Sequence, residues 1–220
     1  MSIILQNYLA ILNDIADNTK HVTLSPKNQL VAVTKNIDAE NILHLLQLGH
    51  RIFGENKVQE AETKWHSLKQ SFPDIRLHLI GPLQSNKVKK AVQIFDVIET
   101  INKEKIATLL AKEQQAINKN LKYYIQVNTG EEEQKSGIAP AQTLEFFQFC
   151  KNDLNLDILG LMCIATQGEA SGLHFALLKK LADRCNLKNL SMGMSQDYKN
   201  ALQMGATSIR IGSAIFGARS

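Results

Sequence analysis

Apolar residues recur along this chain with two periods, one helical and one extended. Residues 3–17 carry their apolar side chains at helical spacing, which predicts an amphipathic N-terminal helix. Eight short apolar runs follow, and we predict strands near 30–34, 50–53, 76–80, 94–99, 123–127, 156–162, 187–192 and 207–211. The segments between the strands have helical periodicity, near 38–48, 55–71, 84–92, 103–118, 140–152, 173–185 and 196–204.

This alternation of strand and helix predicts a parallel sheet, because right-handed crossovers join parallel strands. Eight strands allow the sheet to close into a (β/α)₈ TIM barrel. An open doubly wound sheet is the alternative, but no G-x-G-x-x-G follows the first strand. No linker rich in Gly, Ser or Pro divides the chain, so we predict one α/β domain over residues 1–220, with an extra N-terminal helix.

Composition narrows the functional classes. The net charge of +4, from 25 basic and 21 acidic residues, is too small to favour nucleic acid as a partner. The three cysteines are widely spaced and the six histidines lack metal-ligand spacing, so we predict neither a disulfide framework nor a metal site. We find no leader peptide and no membrane-spanning run, and therefore expect a cytoplasmic protein.

Lys35 is the most informative of the residues that follow the predicted strands. In a barrel the residues after each strand gather at one end, and Lys35 directly follows the first strand. Partial burial there favours the neutral amine that condenses with a carbonyl group. The alternative is an exposed lysine whose stem covers the strand end.

The loops after the last two strands predict a site for a phosphate group. They read Gly193-Met194-Ser195 and Gly212-Ser213, where glycines let the backbone approach an anion and Ser195 can donate a hydrogen bond. We also expect Ser195 to cap a helix that begins at Gln196. These residues can instead be plain turn and cap residues. Together with Lys35, they indicate a carbonyl compound that bears a phosphate.

Arg210 alternates with Ile209 and Ile211 along the eighth strand, so its side chain points opposite to theirs. A buried guanidinium needs a partner. In a pyridoxal phosphate (PLP) site it would face the pyridine nitrogen and, because arginine keeps its proton, leave that nitrogen unprotonated. A salt bridge to a barrel carboxylate such as Glu99 is the alternative.

Several segments resemble the pyridoxal phosphate homeostasis protein family. They are Val31–Lys35, Phe53–Glu60, His78–Lys87, Gln126–Asn128, Lys135–Gly137, Gly160–Met162, Leu190–Ser195 and Arg210–Gly217. The matches run in order from about residue 30 to the C-terminus, and several are too long to agree by chance.

The resemblance implies an alanine-racemase-like barrel that binds PLP covalently and helps to balance vitamin B6 and amino acids in the cell. It implies that Lys35 is the Schiff-base lysine and that Ser195, Gly212 and Ser213 hold the phosphate. It further implies that Arg210 faces the ring nitrogen and that Asn56 is a polar neighbour of the cofactor. Met194, in the same turn as Ser195, is included among the cofactor-binding residues.

The function that we predict is therefore PLP homeostasis without clear catalytic turnover, and we assign no catalytic residue. A PLP-dependent amino-acid racemase is one alternative, and a class I Schiff-base aldolase is another. In alanine racemase the second acid/base is a tyrosine from a separate C-terminal domain; because this chain ends at Ser220, we expect no such domain here. PLP-dependent apo-enzymes are the expected recipients of the cofactor, and a monomer is the expected state.

Overall fold

Eight parallel strands close into a barrel in a computed structural model that describes residues 2–19 and 29–217. The strands follow one another around the barrel in chain order, and the first pairs with the last. They are β1 (Gln29–Val33), β2 (Ile52–Glu55), β3 (Arg76–Leu79), β4 (Val97–Ile101), β5 (Lys122–Gln126), β6 (Ile158–Met162), β7 (Asn189–Ser191) and β8 (Ser208–Ile211). The predicted fold class is confirmed.

Helices follow the strands and surround the barrel. They are α1 (Ile3–Thr19), α2 (Ala39–Gln47), α3 (Val58–Ser71), α4 (Val88–Ile94), α5 (Glu104–Ala116), α6 (Thr143–Gln148), α7 (Ser171–Arg184), α8 (Tyr198–Gln203) and α9 (Ser213–Phe216). The short 3₁₀ turns Ser85–Lys87 and Pro140–Gln142 precede α4 and α6, and a π turn, Phe149–Asp153, extends α6. No helix within these described ranges is both long and apolar enough to cross a membrane.

The strands are buried on both faces, which explains their nearly continuous apolar sequences. In β1, Leu30 and Ala32 belong to the large core between the barrel and the helices. Val31 points the other way and pairs in register with Arg210 of β8. The barrel interior thus combines an apolar part with the polar side chains described below.

The extra N-terminal helix packs on the outside of the barrel, against α8 and α9. Its buried side chains recur at helical spacing: Ile4, Tyr8, Ile11 and Ile15. Two hydrogen bonds fix its position: the Asn7 side chain donates to the carbonyl oxygen of Ile215 (3.1 Å), and the Tyr198 hydroxyl donates to Asp14 (2.6 Å).

The start of the fourth strand was predicted wrongly, and one helix was not predicted. The fourth strand was expected from residue 94, but Ile94 ends α4 and the strand begins at Val97. The reason is Asp96, whose carboxylate accepts hydrogen bonds from the Leu77 backbone N–H (2.8 Å) and from Lys69 (2.7 Å), so the chain turns there. The second error is α9, which the sequence pattern did not reveal because four residues are too few for periodicity.

Candidate functional site at the barrel mouth

Lys35 lies at the barrel mouth, the end of the barrel where the carboxyl ends of the strands meet. It is half-buried and sits in the turn that directly follows β1. Because β1 lies between β2 and β8, the turns nearest to Lys35 along the mouth are those that begin with Asn56 and Gly212. The prediction that Lys35 ends the first strand at the mouth agrees with this position.

Gly212 brings the turn after β8 directly against β1. A Cβ atom placed on Gly212 would lie 3.2 Å from both the Cβ and the carbonyl oxygen of Val33, two residues before Lys35. The absence of a side chain therefore lets the two strand ends approach each other. Ser213, the next residue, begins α9 and is exposed at the mouth.

The turns after β7 and β8 are joined by a hydrogen bond. We call these two turns, residues 193–195 and 212–213, the phosphate loops, after the phosphate site that the sequence predicts there. The Ala214 backbone N–H donates to the Ser195 hydroxyl at 3.3 Å. The expectation that Ser195 caps a helix beginning at Gln196 is wrong, because α8 begins at Tyr198. Asp197 instead closes this turn by accepting a hydrogen bond from the Met194 backbone N–H (2.6 Å).

Met194 and Asn56 lie at the edge of the same mouth. Met194 is 39% exposed. Because its backbone N–H donates to Asp197, a bound phosphate would have to rely on other donors in these loops. Asn56 follows β2 and is half-buried. The turn after β3 rests on it, because a Cβ on Gly81 would lie 2.2 Å from the Asn56 carbonyl oxygen.

Arg210 lies inside the barrel and is almost fully buried. Its Nη1 donates to the Ser191 hydroxyl at 2.6 Å and its Nη2 donates to the carbonyl oxygen of Cys163 at 2.8 Å. The Glu99 carboxylate lies 3.8 Å from Nη1. The alternative partner that we considered, Glu99, is therefore present, and the guanidinium carries further N–H groups beyond these contacts.

Glu99 connects Arg210 to the opposite wall of the barrel. It accepts hydrogen bonds from the Ser191 hydroxyl (2.5 Å) and from His78 Nδ1 (2.6 Å). Complete burial by itself would raise the pKa of Glu99, but the hydrogen bond and charge of His78 and the charge of Arg210 outweigh it and hold the pKa below its ordinary value. Glu99 is thus an anion that keeps Arg210 in place.

Three further side chains of β5 and the turn after β6 have structural roles. Cys163 is buried, and burial raises the pKa of its thiol to about 12, so the thiol stays protonated. The Tyr123 hydroxyl donates to Gln114 of α5 (2.8 Å), on the outside of the barrel. Tyr124 packs inside the barrel with Val97 and Met162, and burial raises the pKa of its phenol. Among the described residues no cluster of His, Cys, Asp and Glu is arranged to bind a metal.

Sequence reasoning missed a second polar network, on the helix side of β1 and β2. Glu55 is fully buried, and its Oε1 accepts hydrogen bonds from the Thr34 hydroxyl (2.7 Å), Lys64 (3.0 Å) and Trp65 Nε1 (2.9 Å). Trp65 is a buried packing residue that also supplies this hydrogen bond. A glutamate at the end of a buried strand was the available signal.

The site can hold an anion at the two phosphate loops and an electrophilic carbonyl at Lys35. Fold and site together define a class of proteins: parallel α/β barrels with a lysine after the first strand and glycine-rich turns after the last two.

The sequence model of the alanine racemase N-terminal domain family matches residues 11–220. Among curated relatives, the pyridoxal phosphate homeostasis protein of Vibrio alginolyticus is 39% identical and covers 100% of this chain and 99% of its own. That of Pasteurella multocida is 38% identical and covers 94% of this chain and 96% of its own.

Solved structures of similar proteins indicate the same family. PipY of Synechococcus elongatus is 35% identical and covers 92% of this chain and 100% of its own. It superimposes with a TM-score of 0.81 without PLP and 0.80 with PLP bound. The alanine racemase of Acinetobacter baumannii has a TM-score of 0.74 at 16% identity, and this likeness concerns the fold alone. The chain belongs to the pyridoxal phosphate homeostasis protein family, which is built on the alanine racemase N-terminal domain, and the predicted resemblance is confirmed.

Proposed function

We propose that this protein binds PLP as a Schiff base on Lys35 and serves in PLP homeostasis rather than in catalysis. The observation that carries the proposal is the contact between Gly212 and Val33, which brings a phosphate loop next to the end of β1, two residues before Lys35. A ligand with an aldehyde and a phosphate needs these two features side by side. PipY, a relative that was solved with PLP bound, supports the same ligand.

The residues present fit PLP. Ser195, Gly212 and Ser213 would hold the phosphate, with Met194 at the edge of the loop and Asn56 as a polar neighbour on the β2 side. At the start of α9 the Ala214 N–H already binds the Ser195 hydroxyl, and the next two N–H groups bind the Gly212 carbonyl oxygen. The N–H and hydroxyl of Ser213 would therefore be the donors that this turn offers to the phosphate. Gly212 leaves space that a side chain would take from the phosphate and from Val33.

Arg210 would approach the ring nitrogen of PLP from inside the barrel. When bound, PLP supplies a ring that withdraws electrons from the carbon next to an attached amine, and a protonated ring nitrogen makes this effect stronger. Arginine remains a cation, and Glu99 at 3.8 Å stabilises that charge. Arg210 therefore has no proton to give to the ring, which favours storage and delivery over strong carbanion chemistry.

A PLP-dependent racemase is the second candidate, since the alanine racemases share the fold. Racemisation by two bases needs a second acid/base opposite the lysine. The two tyrosines of β5 do not meet that need: Tyr123 is bonded to α5, and Tyr124 is buried in the barrel with a raised pKa. A class I aldolase remains the third candidate, and the names of the relatives do not favour it.

The proposal extends to the domain organisation, oligomeric state, compartment and partners of the protein. We infer a single PLP-binding barrel domain over residues 1–220, a monomer in the cytoplasm, and delivery of PLP to apo-enzymes. Nucleic acid and membranes are not proposed as partners. A reducing compartment agrees with the three cysteines, Cys150, Cys163 and Cys185, which are unpaired and buried, and burial raises the pKa of each thiol.

A titration with PLP followed by absorbance tests the proposal. After loading with PLP and removal of the free compound, which is itself yellow, the wild-type protein should remain yellow and Lys35→Ala should not. Lys57→Ala is the matched control, because Lys57 is an exposed lysine that follows β2 at the same mouth, and it should behave like the wild type. An equally coloured Lys35→Ala protein would contradict the proposal, and rapid exchange of the α-proton of alanine would favour the racemase.

A further inference from the structure

The turn that carries Lys35 is held from outside the barrel by two charged residues of α3. Lys64 Nζ donates to the carbonyl oxygen of Thr34 at 2.6 Å, which belongs to the peptide group just before Lys35. Glu60 Oε1 accepts from the backbone N–H of Asn36 at 2.6 Å, which belongs to the peptide group just after Lys35. Lys64 and Glu60 are themselves an ion pair at 2.7 Å. Both peptide groups that flank Lys35 are therefore bound by one ion pair.

We propose that Lys64 and Glu60 form a clamp that positions Lys35 for covalent binding of PLP. The proposal rests on the proposed function, and it deepens that function by assigning positioning residues that act through the backbone on either side of Lys35. A surface Glu–Lys pair four residues apart on a helix contributes little by itself. This pair differs from such surface pairs, because the Lys64 side chain is only 11% exposed and donates a hydrogen bond to the backbone of the turn at the mouth.

Every N–H bond of the Lys64 ammonium group has an acceptor. The three acceptors are the Thr34 carbonyl oxygen, Glu55 Oε1 at 3.0 Å and Glu60 Oε1. An ammonium group has three donors, so these contacts use all of them. Because all three donors of this nearly buried ammonium group are used, the group has one preferred position. The hydrogen bond from Lys64 therefore also fixes the position of the Thr34 carbonyl oxygen.

Glu55 anchors the clamp in the barrel wall and sets the direction of the chain. Its Oε1 also accepts from the Thr34 hydroxyl at 2.7 Å, so Thr34 is held on the helix side. The Thr34 N–H donates to Gly54 (2.9 Å), which keeps the chain bound to β2 up to this residue. Holding Thr34 on the helix side therefore fixes the direction in which the chain enters the turn that carries Lys35.

Asn36 lies in the same turn as Lys35 and has a φ of 57°, in the left-handed region, which asparagine adopts more readily than most residues other than glycine. The hydrogen bond from its N–H to Glu60 stabilises this turn. A clamp on both sides of Lys35 thus restricts the backbone that carries the amine, and less freedom has to be lost when the covalent bond forms.

The test compares PLP binding in two backgrounds. Lys64→Met should weaken PLP binding by about tenfold, the factor expected when charge-assisted hydrogen bonds to the turn are lost. In the Lys35→Ala background, where no covalent bond can form, the same substitution should leave the remaining non-covalent affinity for PLP unchanged.

Lys69→Met is the matched control: Lys69 also lies on α3 and also binds a carbonyl oxygen (Ile94, 2.9 Å) and a carboxylate (Asp96, 2.7 Å), but away from Lys35. It should bind PLP like the wild type.

Unchanged PLP affinity in Lys64→Met would overturn the clamp, and so would an equal loss in both backgrounds, which would mean a general structural role. If Lys64→Met does not fold, Glu55→Gln/Lys64→Met removes both buried charges and is judged by the same criteria.

Amide exchange without PLP separates this proposal from the proposed function. The Asn36 N–H should exchange faster in Lys64→Met than in the wild type, by about tenfold, because Glu60 loses the cation that holds it. The same rate in both would overturn the clamp. A wild-type protein that forms no adduct at Lys35 would instead overturn the proposed function, whatever the exchange rate of Asn36.

Discussion

Replacing Arg210 by methionine should destabilise the protein strongly, because it would remove a cation that lies close to the buried Glu99 carboxylate. Glu99 is fully buried, and its carboxylate lies 3.8 Å from Arg210 Nη1. At an effective dielectric constant of about 20, two unit charges at that distance attract each other by about 4 kcal/mol. Removing one partner of a buried pair typically costs about 3–5 kcal/mol, since the other charge stays behind. We expect a loss in the lower half of that range, because His78 and Ser191 still bind Glu99.

Urea unfolding of the wild type, Arg210→Met, Glu99→Gln and the double variant measures this energy. The double variant should lose less stability than the two single variants together, with a coupling energy of about 2 kcal/mol or more. Lys90→Met is the control, because Lys90 binds Glu62 at 2.6 Å with both side chains nearly half exposed, and it should cost less than about 1 kcal/mol. Additive losses, with coupling below about 0.5 kcal/mol, would show that Arg210 and Glu99 do not support each other and would refute this reasoning.

Two further predictions concern stability. Burial lowers the pKa of His50 from 6.5 to about 4, so the folded protein binds this proton more weakly than the unfolded chain, and stability should fall as the pH drops from 6.5 towards 4. Between about pH 7.5 and about pH 5 urea unfolding should show a loss of about 2 kcal/mol that is absent in His50→Gln; an identical pH dependence in both would contradict it. Gly193→Ala should cost about 1–3 kcal/mol, because φ is 91° and the new Cβ would lie 2.5 Å from the Cβ of Ala201. Gly168→Ala, at a φ of 86° with open space around it, should cost clearly less in thermal melting, and equal costs would argue against the close contact.

Much of the site could be predicted from the sequence because a parallel barrel gathers the strand ends in one place. Once eight strands are recognised, Lys35 and the phosphate loops must lie at the same end, however far apart they are in the chain. Alternation along β8 was sufficient to predict that Arg210 is buried, and the need for a partner led to Glu99 as one possibility.

Contacts that depend on how a helix is placed around the barrel could not be predicted. In the sequence, Glu60 and Lys64 are an ordinary pair for an exposed helix face, and only the orientation of α3 brings them to the backbone around Lys35. Ser191 gives no signal either, since a serine within a strand is common. The expected cap at Ser195 was wrong because Asp197, two residues later, closes the turn by binding the Met194 N–H.

The central claim is that one amine, that of Lys35, forms the covalent bond with PLP. Borohydride reduction of the PLP-loaded protein, followed by proteolysis and mass spectrometry of the peptides, tests it most directly. In the wild type we expect a single reduced pyridoxyl group, on the peptide that contains Lys35. In Lys35→Ala the peptide that spans position 35 should carry none. A pyridoxyl group on a different lysine of the wild type, or its spread over several surface lysines, would contradict the account.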